Sequence, residues 1–181
     1  PQFQIPSDHL AAIKDQTLAW IKAGIVRRGH SRYNNPIFAV PKPHNRGLRI
    51  VLDYRALNEA TLPDKYCTPS VDETLQRIGD AGAQWVTFIV PSSGFYHIPL
   101  REQDQHLTAY TLPGFGQFLW RRAAMGPTGS PATSNQAIDI LLNDVSNCLS
   151  YVDDILCFTK DVPSHLRTLR TILTRLRKSG L

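Results

Sequence analysis

Apolar residues recur at helical spacing over residues 8–23, where Leu10, Ile13, Leu18 and Ile21 form one stripe. Ser7 or Asp8 can cap that helix, and Gly24 ends it. Two strand-length runs follow at residues 35–41 and 48–53, with His44-Asn45-Arg46-Gly47 as the turn between them. Residues 71–79 read as a short helix. Residues 85–90 form a continuous apolar run, the pattern expected of a strand buried on both faces. Further strands are expected at 95–100, 107–111 and 117–122, the last two joined by a turn at 114–116. Ser130-Pro131 opens a helix with a cap residue and a proline, and Ile138, Leu141, Leu142 and Val145 line its apolar side. Residues 148–158 form a hairpin of two apolar strands through Tyr151-Val152-Asp153-Asp154. A last helix covers 164–178, with Leu166, Leu169, Ile172, Leu173 and Leu176 on one face and Gly180 as its stop. Strands and helices mix without strict βα alternation, so the expected class is α+β.

Composition narrows the picture. The chain has 181 residues, of which 42% are hydrophobic, enough for a core within one domain or one closely packed pair of subdomains. The net charge of +5 favours polyanions, but solubilising surfaces carry such charge too. Cys67, Cys148 and Cys157 are odd in number and make neither a CxxC pair nor a zinc pattern. They read as idle thiols of a reducing, intracellular compartment, cytoplasm or nucleus, with no signal for secretion. No apolar run approaches membrane-spanning length, so no membrane partner is expected. A start at Pro1 and a single methionine, Met125, point to a piece of a longer product.

The most pointed chemistry is Asp153-Asp154. Two adjacent carboxylates between apolar strands repel one another and are costly to desolvate. A divalent cation removes that cost, and Mg²⁺ takes such hard oxygen ligands. An ordinary surface Asp-Asp turn is the alternative on these residues alone.

The neighbouring strings extend the case. Asn35-Pro36-Ile37-Phe38-Ala39-Val40-Pro41-Lys42-Pro43, Leu48-Arg49-Ile50-Val51-Leu52-Asp53-Tyr54-Arg55-Ala56-Leu57-Asn58, Ser92-Ser93-Gly94-Phe95-Tyr96-His97-Ile98-Pro99-Leu100 and Gly126-Pro127-Thr128-Gly129-Ser130-Pro131-Ala132-Thr133 stand in that order before Tyr151-Val152-Asp153-Asp154. Together they resemble the reverse transcriptases of LTR retrotransposons and retroviruses, with a gypsy-like lean. The resemblance implies a right-hand polymerase fold, an antiparallel palm sheet backed by helices. Residues 1–85 would be mostly fingers and 86–181 mostly palm, without thumb, connection or RNase H. It implies template–primer of RNA or DNA and deoxynucleotides as partners, and Mg²⁺ or Mn²⁺ as cofactor. Lys42 and Arg49 would meet the triphosphate. Phe95 would exclude a 2′-hydroxyl, and Tyr151 would lie under the primer end. Met125 stands where the family has Phe or Gln beside the nucleotide. Asp153 and Asp154 would ligate metal, two ions activating the attacking hydroxyl and spreading charge on phosphorus.

One position breaks the pattern. Where the family carries its first metal-binding aspartate, this chain has Val90, within Phe88-Ile89-Val90-Pro91. Valine has no lone pair for a cation, and Glu102 and Asp104 lie too far along to replace it. A loss of at least ~10³-fold in rate is expected. Two functions follow: an RNA-directed DNA polymerase domain crippled at Val90, or a domesticated, non-catalytic module that binds nucleic acid or a protein partner.

Overall fold

The computed structural model describes residues 2–64, 66, 69–91, 94–151 and 154–181, apart from residue 46. In chain order the elements are α1 (Ser7–Lys22), β1 (Val26–Arg28), β2 (Ile37–Pro41), β3 (Leu48–Leu52), α2 (Arg55–Ala60), α3 (Val71–Asp80), β4 (Trp85–Ile89), β5 (Tyr110–Leu112), β6 (Gly116–Trp120), α4 (Ser130–Leu142), β7 (Cys148–Tyr151), β8 (Asp154–Thr159) and α5 (Val162–Ser179). Short 3₁₀ turns cover Pro43–Asn45, Gly94–His97 and Glu102–Thr108. The chain folds into two compact units, residues 1–63 with 98–130 and residues 64–97 with 131–181. Among the described residues every strand pairing is antiparallel, and helices pack beside the sheets in the α+β manner.

The first unit holds a sheet in the order β1-β6-β5 and the separate hairpin β2-β3. Its core is aromatic: Trp20 stacks at 4.8 Å from Trp120, and Tyr110 at 5.6 Å from Phe118. The buried Asn35 amide donates to the carbonyls of Leu107 and Ala109, 2.9 Å each, so a polar side chain is fully used inside. Helix α1 buries Ile13, Thr17 and Trp20 rather than the expected leucine stripe, and Leu18 is exposed. The spacing i, i+4, i+7 is intact, but Trp20 and Thr17 carry it in place of Leu18. Neither Ser7 nor Asp8 caps this helix; Pro6 holds the cap position with no side-chain bond.

The second unit is a sheet in the order β4-β8-β7. On one face Ile155 and Cys157 of β8 meet Ile138 and Leu142 of α4 and Ile172 and Leu176 of α5. On the other, Leu149, Leu156 and Phe158 meet Ile78 and Ala81 at the end of α3. Caps are well formed here. The Ser70 hydroxyl accepts from Glu73 N in α3, the Asp161 carboxylate accepts from Ser164 N in α5, and Gly180 closes α5 with φ 84°. Buried His165 ties α5 to two strands: Nε2 lies 2.7 Å from Thr87 Oγ1, and Nδ1 lies 3.0 Å from Thr159 Oγ1.

Four expectations are corrected. The run at 85–90 is not buried on both faces. Among the described strands β4 pairs with β8 alone, and Trp85, Val86, Phe88 and Val90 are all exposed. An unbroken apolar run cannot tell a central strand from an edge strand whose cover lies elsewhere. Residues 95–100 are no strand: Gly94–His97 is a 3₁₀ turn, and Pro99 makes a single bridge to Arg122. Proline cannot donate to a ladder. Residues 107–111 begin in a 3₁₀ turn, and only Tyr110–Leu112 is extended. On α5 the buried side is His165, Ile172 and Leu176, while Leu166 and Leu173 are exposed.

Truncating Ile172 to Ala should lower unfolding free energy by about 2–5 kcal/mol, whereas Leu166→Ala should change it by roughly 0.5 kcal/mol or less. Urea unfolding of the two variants checks this; equal losses would contradict the assigned α5 face.

Candidate active site

The site in the second unit follows from strand register. β4 pairs with β8 from Trp85–Thr159 to Ile89–Ile155, so the next residue, Val90, is carried towards Asp154. β7 pairs with β8 from Cys148–Cys157 to Tyr151–Asp154. Side chains alternate along a strand. Ile155 and Cys157 enter the α4/α5 core, so Asp154 belongs to the opposite face with Leu156 and Phe158. Tyr151 packs on that same face. Register thus carries Tyr151, Asp154 and, one residue beyond the last β4–β8 pair, Val90 towards one end of one sheet face. Val90 is 69% exposed. Asp153 lies outside the described residues.

A buttress holds β7 from behind. Asp139 of α4 accepts hydrogen bonds from Ser150 Oγ, next to Tyr151, and from the Tyr66 hydroxyl. The bond to Asp139 pushes the Tyr66 phenol above its ordinary value. Phe95 is half-buried in the Gly94–His97 turn of this same unit. Among the described residues no group of three or more His, Cys, Asp or Glu stands together as a cation site. Asp154 is the described carboxylate of the hairpin, and Val90 beside it presents methyl groups only.

The other predicted residues belong to the first unit. Lys42 follows β2 and its N–H donates to Gly47 O at 2.8 Å, closing the hairpin; Arg49 pairs with Val40. Both side chains are exposed. Met125 is 60% exposed. Its loop is held by a residue to which the sequence reading gave no role: Asn58 Nδ2 donates to Gly126 O at 3.0 Å, and Thr128 N donates to Asn58 Oδ1 at 2.9 Å. Gly126 has φ 112°, and a Cβ there would sit 3.0 Å from the Tyr54 ring. Glycine is therefore required by both conformation and space.

Beside this loop a cavity of about 560 Å³ is lined by Phe3, Phe38, Val51, Asp53, Tyr54 and Asn58, among others. Arg55 grips Asp53 through two guanidinium bonds of 2.9 and 2.6 Å. That grip and the Arg55 backbone N–H bring the Asp53 carboxyl from its ordinary 3.8 down to about 2. The Asp-Tyr-Arg string had signalled the motif, though not this internal ion pair. Charge is unevenly shared: the first unit carries twelve Lys and Arg against six Asp and Glu, the second eight against nine.

Comparison with known proteins identifies the family and the fold. The family model for reverse transcriptase (RNA-dependent DNA polymerase) matches residues 40–181. The retrovirus-related Pol polyprotein from transposon 297 of Drosophila melanogaster is 32% identical over 186 residues, covering 99% of this chain and 17% of its own length. The Pol polyprotein from transposon gypsy of the same organism is 31% identical over 168 residues, covering 89% of this chain and 16% of its own length. The crystal structure of a prototype foamy virus protease–reverse transcriptase mutant matches with a TM-score of 0.87 at 29% identity, over 99% of this chain and 24% of that one. A foamy viral protease–reverse transcriptase in complex with RNA/DNA hybrid matches with a TM-score of 0.84 at 28% identity, over 99% of this chain and 24% of that one. The chain spans less than a fifth of the length of these two polyproteins.

Two outcomes are expected. NMR titration of Asp53 should give a midpoint near 2, and Arg55→Ala should return it towards 3.8. Because the folded carboxyl is depressed, its contribution to stability is present above the ordinary value and fades as pH falls through that interval. Gly126→Ala should destabilise by about 1–3 kcal/mol from backbone strain, more once the Tyr54 contact is added. A thermal melt with an unchanged midpoint would contradict it.

Proposed function

The chain belongs to the reverse transcriptase (RNA-dependent DNA polymerase) family, of the LTR-retrotransposon and retroviral type, and from that premise we propose that it is a polymerase domain disabled for metal-dependent chemistry at Val90. The observation that supports this reading is the β4–β8 register, which ends at Ile89–Ile155 and leaves Val90, not a carboxylate, as the next residue on the side of Asp154. Two-ion phosphoryl transfer uses carboxylate oxygens to hold the ions that activate the attacking hydroxyl and balance charge on phosphorus. The residues around Asp154 do not fit such a pair, because an isopropyl group offers no oxygen. We therefore assign this chain no ion-dependent step.

What its own residues retain is recognition. Lys42 and Arg49 stand exposed on one hairpin and suit a triphosphate, Arg as a bidentate clamp and Lys as a point charge. Phe95 suits the role of a ring against the sugar, and Tyr151 that of a platform for the primer end. The positive charge concentrated in the first unit favours a nucleic acid backbone. The RNA/DNA hybrid bound by the foamy viral relative is the template–primer form we assign to this chain as partner. The division into fingers up to about residue 85 and palm beyond it is part of the same proposal.

A second reading, a domesticated module that serves a protein partner, draws on the exposed Trp85, Val86, Phe88 and Val90 of one strand segment. Two assays separate the readings. Template–primer extension with Mg²⁺ or Mn²⁺ should give no product from the native chain; robust extension would overturn the disabled-polymerase reading. Affinity for an RNA–DNA hybrid should fall by at least ~10-fold between roughly 50 and 200 mM salt. Absence of binding even at low salt would favour the protein-partner module.

A further inference from the structure

Cys148 and Cys157 are nine positions apart in the sequence and directly opposite one another in the sheet. Antiparallel partners alternate between hydrogen-bonded and non-hydrogen-bonded pairs, and the latter bring their Cα atoms to ~4.5 Å and their side chains closer. The type of this pair is fixed by its neighbour. Phe158 N donates to Asn147 O at 3.0 Å, which makes the flanking 147–158 pair the hydrogen-bonded one. Cys148–Cys157 is therefore the close, non-hydrogen-bonded pair. Both side chains pack on one sheet face, in the cluster with Ile138, Leu142 and Ile172. Both are free thiols. Disulfides need Cα atoms ~4.4–6.8 Å apart with converging Cβ vectors, and the spacing typical of a non-hydrogen-bonded pair whose side chains share one sheet face lies in that range.

We infer that Cys148 and Cys157 form a redox modification site, closing a cross-strand disulfide at the base of the hairpin that carries Tyr151 and Asp154. The co-reactant is a low-molecular-weight disulfide such as oxidised glutathione. Cys148 is half-buried on the outer strand β7, whereas Cys157 on central β8 is fully buried, so Cys148 is the entry point. The Cys148 sulfur attacks the small disulfide, forming a mixed disulfide and releasing one glutathione thiol. The Cys157 sulfur then attacks the Cys148 sulfur of that mixed disulfide and releases the second. Two protein thiols are oxidised, one glutathione disulfide is reduced, and the two protein protons reappear on the released thiols. Burial, with Cys157 and Asp139 nearby, pushes the Cys148 thiol up to about 12. The pair therefore stays reduced unless exposure to the oxidant is sustained.

The product is a hairpin stapled three pairs away from Tyr151–Asp154. Such a staple limits opening of β7 from β8 and so steadies that end of the sheet. Its ten-residue span shares no segment with Cys67, which makes the intrachain link separable from any other thiol chemistry.

The test uses the native chain and a Cys67→Ser variant, incubated with oxidised glutathione and digested without reduction. The expected result is loss of two hydrogens from the intact mass, a cross-linked peptide joining Cys148 to Cys157, and a raised thermal midpoint that dithiothreitol reverses. In Cys157→Ser, which lacks the resolving thiol, a stable glutathione adduct on Cys148 is expected. Two results would overturn the inference. One is a glutathione adduct that persists on Cys148 with Cys157 present. The other is thiols that react only after the chain is unfolded in urea.

Discussion

Burial of β8 is the constraint on which the second unit depends. This strand is paired on both edges, and its residues from Ile155 to Thr159 are all buried. Ile155 and Cys157 have no exposed surface and fill the space beneath α4 and α5. With a side-chain period of two, a slip of one residue would bring Asp154 into that apolar space and push Ile155 out to the other face. Desolvating an unpaired carboxylate costs several kcal/mol, so the register is strongly specified. The place of Asp154 is thus set by the hydrophobic packing of Ile155 and Cys157 beside it, before any ligand is considered. The same register, transmitted through five strand pairs to β4, sets the place of Val90.

Much of this was legible in the chain. The hairpin at 148–158, the last helix and the paired runs around Lys42 and Arg49 carry strong local signals: apolar runs of strand length, helical periodicity and Gly180 as a stop, whereas the caps Ser70 and Asp161 emerged only in the structure. The family resemblance extended these to an order of motifs that the fold reproduces. What failed did so for physical reasons. The run from Trp85 to Val90 looks interior by composition, but composition does not say which edge of a sheet is covered. Residues 95–100 looked extended, yet Gly94 and Pro99 favour a turn and an interrupted ladder. In α1 the periodicity was correct, but Thr17 and Trp20 are buried one residue before the expected Leu18 and Ile21; in α5 Ile172 and Leu176 are buried as expected, while His165, held by Thr87 and Thr159, is buried in place of Leu166.

Side-chain chemistry between distant segments was the least legible part. Asn58 holds the Gly126 loop across 68 residues of sequence, and His165 reaches Thr87 across 78. Neither spacing leaves a local pattern. Cys148 and Cys157 lie nine positions apart inside the expected hairpin, yet which residues face one another became plain only with the strand register. In each case a polar or reactive group is placed by the packing of apolar neighbours, so its role is visible in the fold and not in the string.

The central claim is that Val90 occupies the position at which an oxygen would complete a cation site with Asp154. Equilibrium Mn²⁺ titration, followed by electron paramagnetic resonance, tests it most directly on the native chain, on Val90→Asp and on Val90→Asp combined with Asp154→Asn. A carboxylate restored at position 90 should tighten Mn²⁺ binding at least ~10-fold, about 1.4 kcal/mol, and the gain should vanish when Asp154 is neutralised. Equal Mn²⁺ affinity in the native chain and Val90→Asp would contradict the account.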